Sequence, residues 1–242
     1  SFIEGEIKEF LIEYLPEHEL FFNKRTILGN GQELDIYIPS YNLAIELNGI
    51  FWHSETCGKD RKYHLNKTEI CFNKNIQLIH IIDQEWVLKK DIIKSMLLNK
   101  IGKISNKVYA RKCEIREIPT DELKVFLNTN HIQGYAHSSI NIGLYYNNEL
   151  MSVMTFGKNR FKKNSNEWEM VRFCNKLNYN VTGGASKLFK HFIKTYNEDN
   201  LNIISFSDRR FFSGKLYENL SFKFDKFTSP SYIYWKSSTI LN

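Results

Sequence analysis

The chain has 242 residues, of which 42% are hydrophobic and 25% are charged, and its formal net charge is +6. These values are ordinary for a soluble globular protein with one large or two small domains, and no apolar run approaches the roughly 18 residues of a membrane span. The four cysteines are widely spaced and form no CxxC pair, which favours reduced thiols in a cytosolic setting.

The first half of the chain contains an alternation of helical and strand-like patterns. Helices are predicted over 2–15, 60–74 and 85–102, and strands over 19–28, 33–38, 42–48 and 77–82. The predicted order of elements is therefore α-β-β-β-α-β-α. The basic segment 103–112 is predicted to be a connector, with the boundary between domains 1–104 and 105–242 inside it.

The second half has shorter strands and turn signals. A helix is predicted over about 119–129, followed by a hairpin that turns at Asn147-Asn148 and by the strand "WEMVRFCNKL". A helix is then predicted directly after Gly183-Gly184, "NIISFSD" as a strand and "GKLYENL" as a short helix. The last runs, "SFKFDKF" and "SYIYWK", are predicted to form a final hairpin.

Charge is distributed unevenly between the two halves. Residues 1–107 contain 14 Lys and Arg against 15 Asp and Glu, a balance of −1. Residues 108–242 contain 19 against 12, a balance of +7. A near-neutral half beside a basic half indicates a catalytic domain joined to a domain that binds a polyanion, with a solvated basic surface as the alternative.

Two carboxylates interrupt strands that otherwise appear buried. In strand 33–38 the apolar residues share one face and Asp35 lies on the other, and Glu46 is placed in the same way in strand 42–48. A buried carboxylate is costly unless it is paired or binds a metal. Two antiparallel strands joined by a short turn can bring both side chains to one place, where two oxygen ligands suit Mg²⁺. Solvated strand positions are the alternative.

A histidine follows the second carboxylate. His53 ends the segment "NGIFWH", where an imidazole can accept a proton from an attacking water or stabilise charge on a phosphate. Asp35 and the later Glu46-Leu47-Asn48 resemble the PD-(D/E)xK nuclease signature, with Asn48 where the lysine usually stands. The stretch "LDIYIPSYNLAIELNGIFWH" is similar to very-short-patch-repair endonucleases and their homing-endonuclease relatives. This likeness covers about residues 1–100, and later segments extend a resemblance to phage homing endonucleases over nearly the whole chain.

The resemblance implies a role for each matching residue. Asp35 and Glu46 would bind Mg²⁺ or Mn²⁺, and His53 would be the catalytic histidine. Glu4 would orient metal-bound water, with Glu6 as its alternative. Because the signature lysine is absent, Lys67 or His64 would supply the positive charge. We expect no structural zinc of the repair-enzyme type, since two of its ligand positions hold Ile50 and Glu55, although Cys57 fits a third.

The C-terminal half resembles the GCN5-related acetyltransferase fold. "NVTGGA" approximates the loop that holds coenzyme A pyrophosphate at a helix start, with Asn180 in place of Gln or Arg. Tyr217 falls where many such enzymes have their catalytic acid. A reused scaffold without cofactor is the alternative interpretation, since two glycines before a helix are also common in turns.

Basic residues interleaved with aromatics in this half favour DNA binding through phosphate contacts and stacking, although each cluster alone is also typical of a solvated surface. The predicted DNA-binding residues are Lys158, Arg160, Lys162, Lys163, Arg209 and Arg210. Trp52 is a further candidate for stacking on a base, with a core position as its alternative.

The sequence thus predicts an α+β or α/β protein with an N-terminal restriction-endonuclease-like αβββαβ core and a C-terminal acetyltransferase-like domain. By resemblance it predicts a Mg²⁺-dependent endonuclease of the phage homing type, which acts on double-stranded DNA in the cytoplasm of the infected host and has no membrane partner. An acyltransferase that modifies a nucleobase or protein, and a non-catalytic DNA-binding protein, are the alternatives.

Overall fold

A computed structural model describes residues 2–49, 63–158, 167–196 and 201–229, and the backbone of 234–236 and 239–241. The chain divides into two compact units. Unit 1 comprises Ser1–Lys90, Asp208–Ser213 and Asp225–Asn242, and unit 2 comprises Asp91–Ser207 and Gly214–Phe224. Both units combine helices with sheets, which confirms the mixed α+β class.

The helices and strands of the N-terminal part of the chain, the last of which continues into unit 2, follow the predicted order. They are α1 (Phe2–Ile12), β1 (Phe21–Lys24), β2 (Leu34–Ile38), β3 (Leu43–Asn48), α2 (Tyr63–Asn73), β4 (Gln77–Ile82) and α3 (Asp83–Lys100). The strands form one sheet in the order β1-β2-β3-β4, in which β3 and β4 are parallel and the other neighbours antiparallel. Apolar side chains from the strands and α2 form the core, because alternate strand residues turn to the covered face.

Helix α3 differs from the single continuous helix predicted over 85–102. Lys89 has non-helical dihedral angles (φ −133°, ψ 31°), so the helix is kinked there. The chain passes from unit 1 to unit 2 directly after this kink, between Lys90 and Asp91. In unit 2, Ser95 Oγ accepts a hydrogen bond from Asn178 N at 2.9 Å, which anchors the second half of α3.

The bounds of the units also differ from 1–104 and 105–242 near the C-terminus. Asp208–Ser213 belongs to unit 1, where Arg210 O accepts a hydrogen bond from His80 N at 3.0 Å and Phe211 O accepts one from Gln77 Nε2 at 2.9 Å. Long-range backbone contacts of this kind leave no periodic pattern in the sequence.

Unit 2 is built on a five-stranded sheet in the order β11-β9-β8-β7-β6, with a separate parallel pair of β10 and β5. The elements are β5 (Asn106–Tyr109), β6 (Glu114–Glu117), α4 (Thr120–Asn130), β7 (Ile140–Tyr146), β8 (Glu149–Lys158), β9 (Glu167–Asn175), β10 (Tyr179–Thr182), α5 (Gly184–Thr195), β11 (Asn202–Ile204) and α6 (Lys215–Asn219). Asn147 and Asn148 turn the predicted β7–β8 hairpin with positive φ angles of 50° and 61°, which asparagine tolerates.

Two predictions for this half are corrected by the fold. The segment 103–112 is more than a connector, because it contains β5 and contributes to unit 2. The predicted final hairpin is wrong, since β12 (Tyr234–Lys236) pairs with β13 (Thr239–Leu241) and 221–229 contains no strand. Within the described ranges, no single helix is both long enough and apolar enough to cross a bilayer.

Candidate active site

The two predicted metal ligands lie on neighbouring strands of unit 1. The antiparallel register of β2 and β3 pairs Ile36 with Ile45, and continuing it by one residue sets Asp35 opposite Glu46. Opposed side chains point to the same face of a sheet, with Cβ atoms roughly 4.5–5.5 Å apart. Like charges in this position repel, so the arrangement needs a compensating cation.

Lys67 supplies one cation at this place. Its Nζ donates a hydrogen bond to Glu46 Oε1 at 2.5 Å, and the two residues are only 2% and 4% exposed. Helix α2 presents Lys67 and Cys71, one turn apart, to the covered face of the sheet. A buried carboxylate and ammonium require each other, because either one alone would carry an uncompensated charge.

Asp35 is half-buried beside this pair. Leu47 N–H donates to its Oδ2 at 2.7 Å. Burial raises the pKa of Asp35 above its ordinary value, the Leu47 hydrogen bond and the charge of Lys67 lower it, and the charges of Glu4 and Glu33 raise it. The site therefore resists ionisation of Asp35 unless further positive charge is present.

The structure distinguishes Glu4 from Glu6, the two acidic residues of α1 considered for the site. Glu4 is close enough to Asp35 to influence its pKa, and it accepts a hydrogen bond from Asn23 Nδ2 at 3.3 Å. Glu6 instead accepts hydrogen bonds from Trp86 Nε1 and Lys90 Nζ, each at 2.8 Å. Of these two residues, the geometry thus places Glu4 in the electrostatic neighbourhood of the carboxylate pair.

A buried histidine on β4 adjoins the same face of the sheet. The parallel register pairs His80 with Glu46, and His80 is 4% exposed. Its Nε2 lies 2.8 Å from Thr68 Oγ1, and its Nδ1 lies 3.1 Å from Asn48 Nδ2. Burial, followed by the charges of neighbouring groups, lowers the pKa of His80 to about 3, so the ring is neutral at ordinary pH.

The hydrogen bonds around His80 define its tautomer. Thr68 Oγ1 donates its proton to His64 O at 2.8 Å, so it must accept from His80 Nε2–H. His80 Nδ1 then accepts from the Asn48 amide. Asn48 Oδ1 is buried and has no hydrogen-bond partner among the residues that the structure describes. Sequence reasoning missed this network, although a histidine inside the apolar run "QLIHII" was a signal for it.

Of the six predicted DNA-binding residues, three lie outside the described residues, two lie in unit 1 and Lys158 lies in unit 2. Several residues named from the sequence lie outside the described residues: His53 and Trp52, the positions Ile50, Glu55 and Cys57 at which we expect no zinc, and the basic residues Arg160, Lys162 and Lys163. Lys158 ends β8, with its Nζ 4.1 Å from the centroid of the Trp168 ring.

Arg209 and Arg210 form ion pairs within unit 1. Arg209 Nη2 lies 2.7 Å from Glu69 Oε1. Arg210 contacts both oxygens of Glu85, at 3.0 and 3.1 Å, and Asp208 Oδ2 at 2.8 Å. Both guanidinium groups therefore have structural partners in unit 1, and their binding to DNA stays a prediction.

The two glycines before α5 have packing and backbone roles. Gly183 caps the helix with φ +79°, a conformation that favours glycine. A Cβ on Gly184 would lie 3.1 Å from Val181 Cγ1, so this position is closely packed. Tyr217 donates its hydroxyl to Phe206 O at 3.1 Å, and burial raises the pKa of its phenol.

The carboxylate pair of unit 1 fits Mg²⁺. Asp35 and Glu46 present oxygen donors on one face of the sheet, and the desolvated Asp35 carboxylate would ionise more readily beside a divalent cation. Within the described ranges no group of three or more His, Cys, Asp or Glu is arranged to hold a metal. Mg²⁺ does not require one, because it usually binds through one or two carboxylates and completes its shell with water and phosphate.

Comparison of the chain with protein-family models, with curated proteins and with solved structures found no match.

Proposed function

We propose that the protein is a Mg²⁺-dependent endonuclease that hydrolyses phosphodiester bonds of double-stranded DNA. The observation that carries this proposal is that Asp35 and Glu46 directly adjoin the paired Ile36 and Ile45 on adjacent strands, with Leu47 N–H bonded to Asp35 and Lys67 bonded to Glu46. Mn²⁺ would serve the same oxygen ligands. The restriction-endonuclease-like reading of unit 1 is supported by its element order and its β1-β2-β3-β4 sheet.

Each residue of the site has a chemical task under this proposal. Mg²⁺ held by Asp35 and Glu46 would polarise the scissile phosphate and lower the pKa of the attacking water. Lys67 holds the Glu46 carboxylate in place and offsets the repulsion between the two acids. Glu4 would orient the attacking water, and His53 would accept or return its proton.

Biological context follows from the resemblance to phage homing endonucleases. A homing-type enzyme would act in the cytoplasm of the infected host cell, and its basic C-terminal half would bind the target DNA. The charge balance of +7 over residues 108–242 supports the assignment of DNA binding to this half.

Incubation with supercoiled plasmid tests the proposal. We expect nicked or linear product with Mg²⁺ or Mn²⁺ and none with EDTA. Cleavage that is unaffected by EDTA, or its complete absence with either metal, would contradict it.

An acyltransferase is the second candidate, favoured by one observation in unit 2. β9 and β11 are parallel neighbours in an otherwise antiparallel sheet, and helix α5, between them in the chain, begins at Gly183-Gly184. Such a reading predicts that acetyl-CoA stabilises the protein by mass action. The absence of any thermal shift with acetyl-CoA would remove this candidate.

A further inference from the structure

A basic groove lies on unit 2, outside the residues proposed to bind DNA from the sequence. Its open volume is about 460 Å³, and one wall is formed by the end of β5 and the turn after it, the other by the end of β10 and the first turns of α5. The lining residues are Tyr109, Ala110, Arg111, Thr182, Gly183, Ser186, Lys187 and Lys190. This lining contains three cations and no carboxylate.

The strand wall turns its charged and aromatic side chains outward. Val108 and Val181 are paired in the parallel register and buried, so the alternate residues Lys107, Tyr109 and Thr182 face solvent. Lys107 Nζ and Arg111 Cζ lie 5.1 and 5.2 Å from the centroid of the Tyr109 ring. The aromatic ring thus holds two cations close together at the edge of the groove.

The helix wall adds further donors and positive charge. Ser186 and Lys190 are one turn apart on α5, opposite the face that buries Leu188 and Phe192. Lys187 Nζ donates to Ala110 O and Cys113 O, at 2.9 and 2.6 Å, and so ties the helix to the turn that forms the other wall. Gly183 gives α5 no side-chain cap, so the first N–H groups of the helix are not occupied by one.

We infer that this groove binds the phosphate backbone of the DNA substrate. Clustered Arg and Lys, a tyrosine hydroxyl and helix N–H groups are donors that contact DNA phosphates. That the bound polyanion is DNA rests on the proposed endonuclease function. The main DNA contacts of unit 2 are then Lys107, Arg111, Ser186 and Lys190, in place of the residues predicted from the sequence.

Binding of labelled duplex DNA by the full-length protein, measured in EDTA over a range of salt concentrations, tests the groove. Replacing Lys107, Arg111 and Lys190 together by Ala should weaken binding and flatten the log–log salt dependence by about two to three units, at about 0.9 per phosphate contact. Lys124, Lys215 and Lys223 are exposed residues of unit 2 that are not in the groove lining and, unlike Lys107, are not stacked on its Tyr109 ring, and their triple Ala variant has the same change in charge. This control should retain the wild-type slope.

Ser186→Glu separates binding from folding. A carboxylate in the first turn of a helix is favourable for the helix, so the melting temperature should be unchanged or higher while DNA affinity falls. Ser186→Gln, which is similar in size but uncharged, should lose less DNA affinity than Ser186→Glu. Equal losses in the two triple variants, or wild-type binding by Ser186→Glu, would overturn the inference.

Two outcomes keep this inference distinct from the proposed function. Metal-dependent plasmid cleavage with unaltered binding by the groove variants would overturn the groove alone. Groove-dependent binding without metal-dependent cleavage would support the groove and contradict the endonuclease. Stabilisation by acetyl-CoA that Ser186→Glu abolishes, with DNA binding unchanged, would assign the groove to a nucleotide and overturn the inference.

Discussion

The ammonium of Lys67, on α2, lies 2.5 Å from the carboxylate of Glu46, on β3, and both side chains are almost fully buried. In the signature that the sequence resembles, the lysine would stand two residues after Glu46, where this chain has Asn48. Asn48 is hydrogen-bonded to His80 instead. The cation that contacts Glu46 therefore comes from α2 and not from β3.

Lys67→Met should destabilise the protein and abolish cleavage. The variant leaves Glu46 buried without its cation, an effect typically worth about 3–5 kcal/mol in the free energy of unfolding. Chemical denaturation measures this loss, with Lys74→Met, an exposed residue just after α2, as the control.

The double variant Glu46→Gln with Lys67→Met should recover much of that stability, because neither buried charge remains. It should still fail to cut DNA. Recovery of cleavage by the double variant would show that the pair is only structural.

Much of unit 1 was predictable because its signals are local. Alternating apolar residues define β2 and β3, and the short connection between them fixes the register that opposes Asp35 and Glu46. The contact from Lys67 could be anticipated only as one of two options, since nothing in the sequence specifies which face of α2 meets the sheet.

The missed features depend on distant contacts. Arg210 lies far from β4 and Glu85 in the sequence. In the structure its backbone O accepts a hydrogen bond from His80 N on β4, and its side chain donates to Glu85. The groove of unit 2 likewise joins β5 and β10, which are about seventy residues apart in the chain. Composition indicated a basic half but could not say which of its charges converge.

Asp35→Asn should stabilise the metal-free protein at neutral pH. Because burial raises the pKa of Asp35 in the folded state, the folded protein holds this proton more tightly, so stability is gained on acidification and lost as pH rises through the folded pKa. The Asn side chain does not ionise, so the variant does not lose this stability as the pH rises. The melting temperatures of variant and wild type, measured in EDTA, should differ at neutral pH and converge below the unfolded pKa of about 4. A variant less stable than the wild type at neutral pH would contradict this reading.

His80→Gln should reduce the acid sensitivity of the protein. The pKa of His80 is about 3 in the folded state and 6.5 ordinarily, so between these values the unfolded chain binds one more proton and stability falls as pH falls. The wild-type slope should exceed that of the variant by up to about 1.4 kcal/mol per pH unit. Denaturation curves across this window measure it, with the substitution of the exposed His18, His18→Gln, as the control.

His53→Ala should slow cleavage without weakening metal binding, since its proposed task is proton transfer. General acid–base catalysis typically contributes about 10²–10⁴-fold, so the single-turnover rate should fall by that factor. The Mg²⁺ concentration for half-maximal rate should stay the same. His18→Ala is the matched control, and a wild-type rate for His53→Ala would refute the assigned role.

The most direct measurement of the central claim is single-turnover cleavage of a DNA substrate by Asp35→Asn and Glu46→Gln. The control is Glu33→Gln, because Glu33 directly precedes β2, influences the pKa of Asp35 and pairs with the exposed Arg25. We predict that both site variants bind DNA but do not cut it at any Mg²⁺ concentration, while Glu33→Gln cuts at nearly the wild-type rate. Undiminished cleavage by Asp35→Asn and Glu46→Gln would contradict the account.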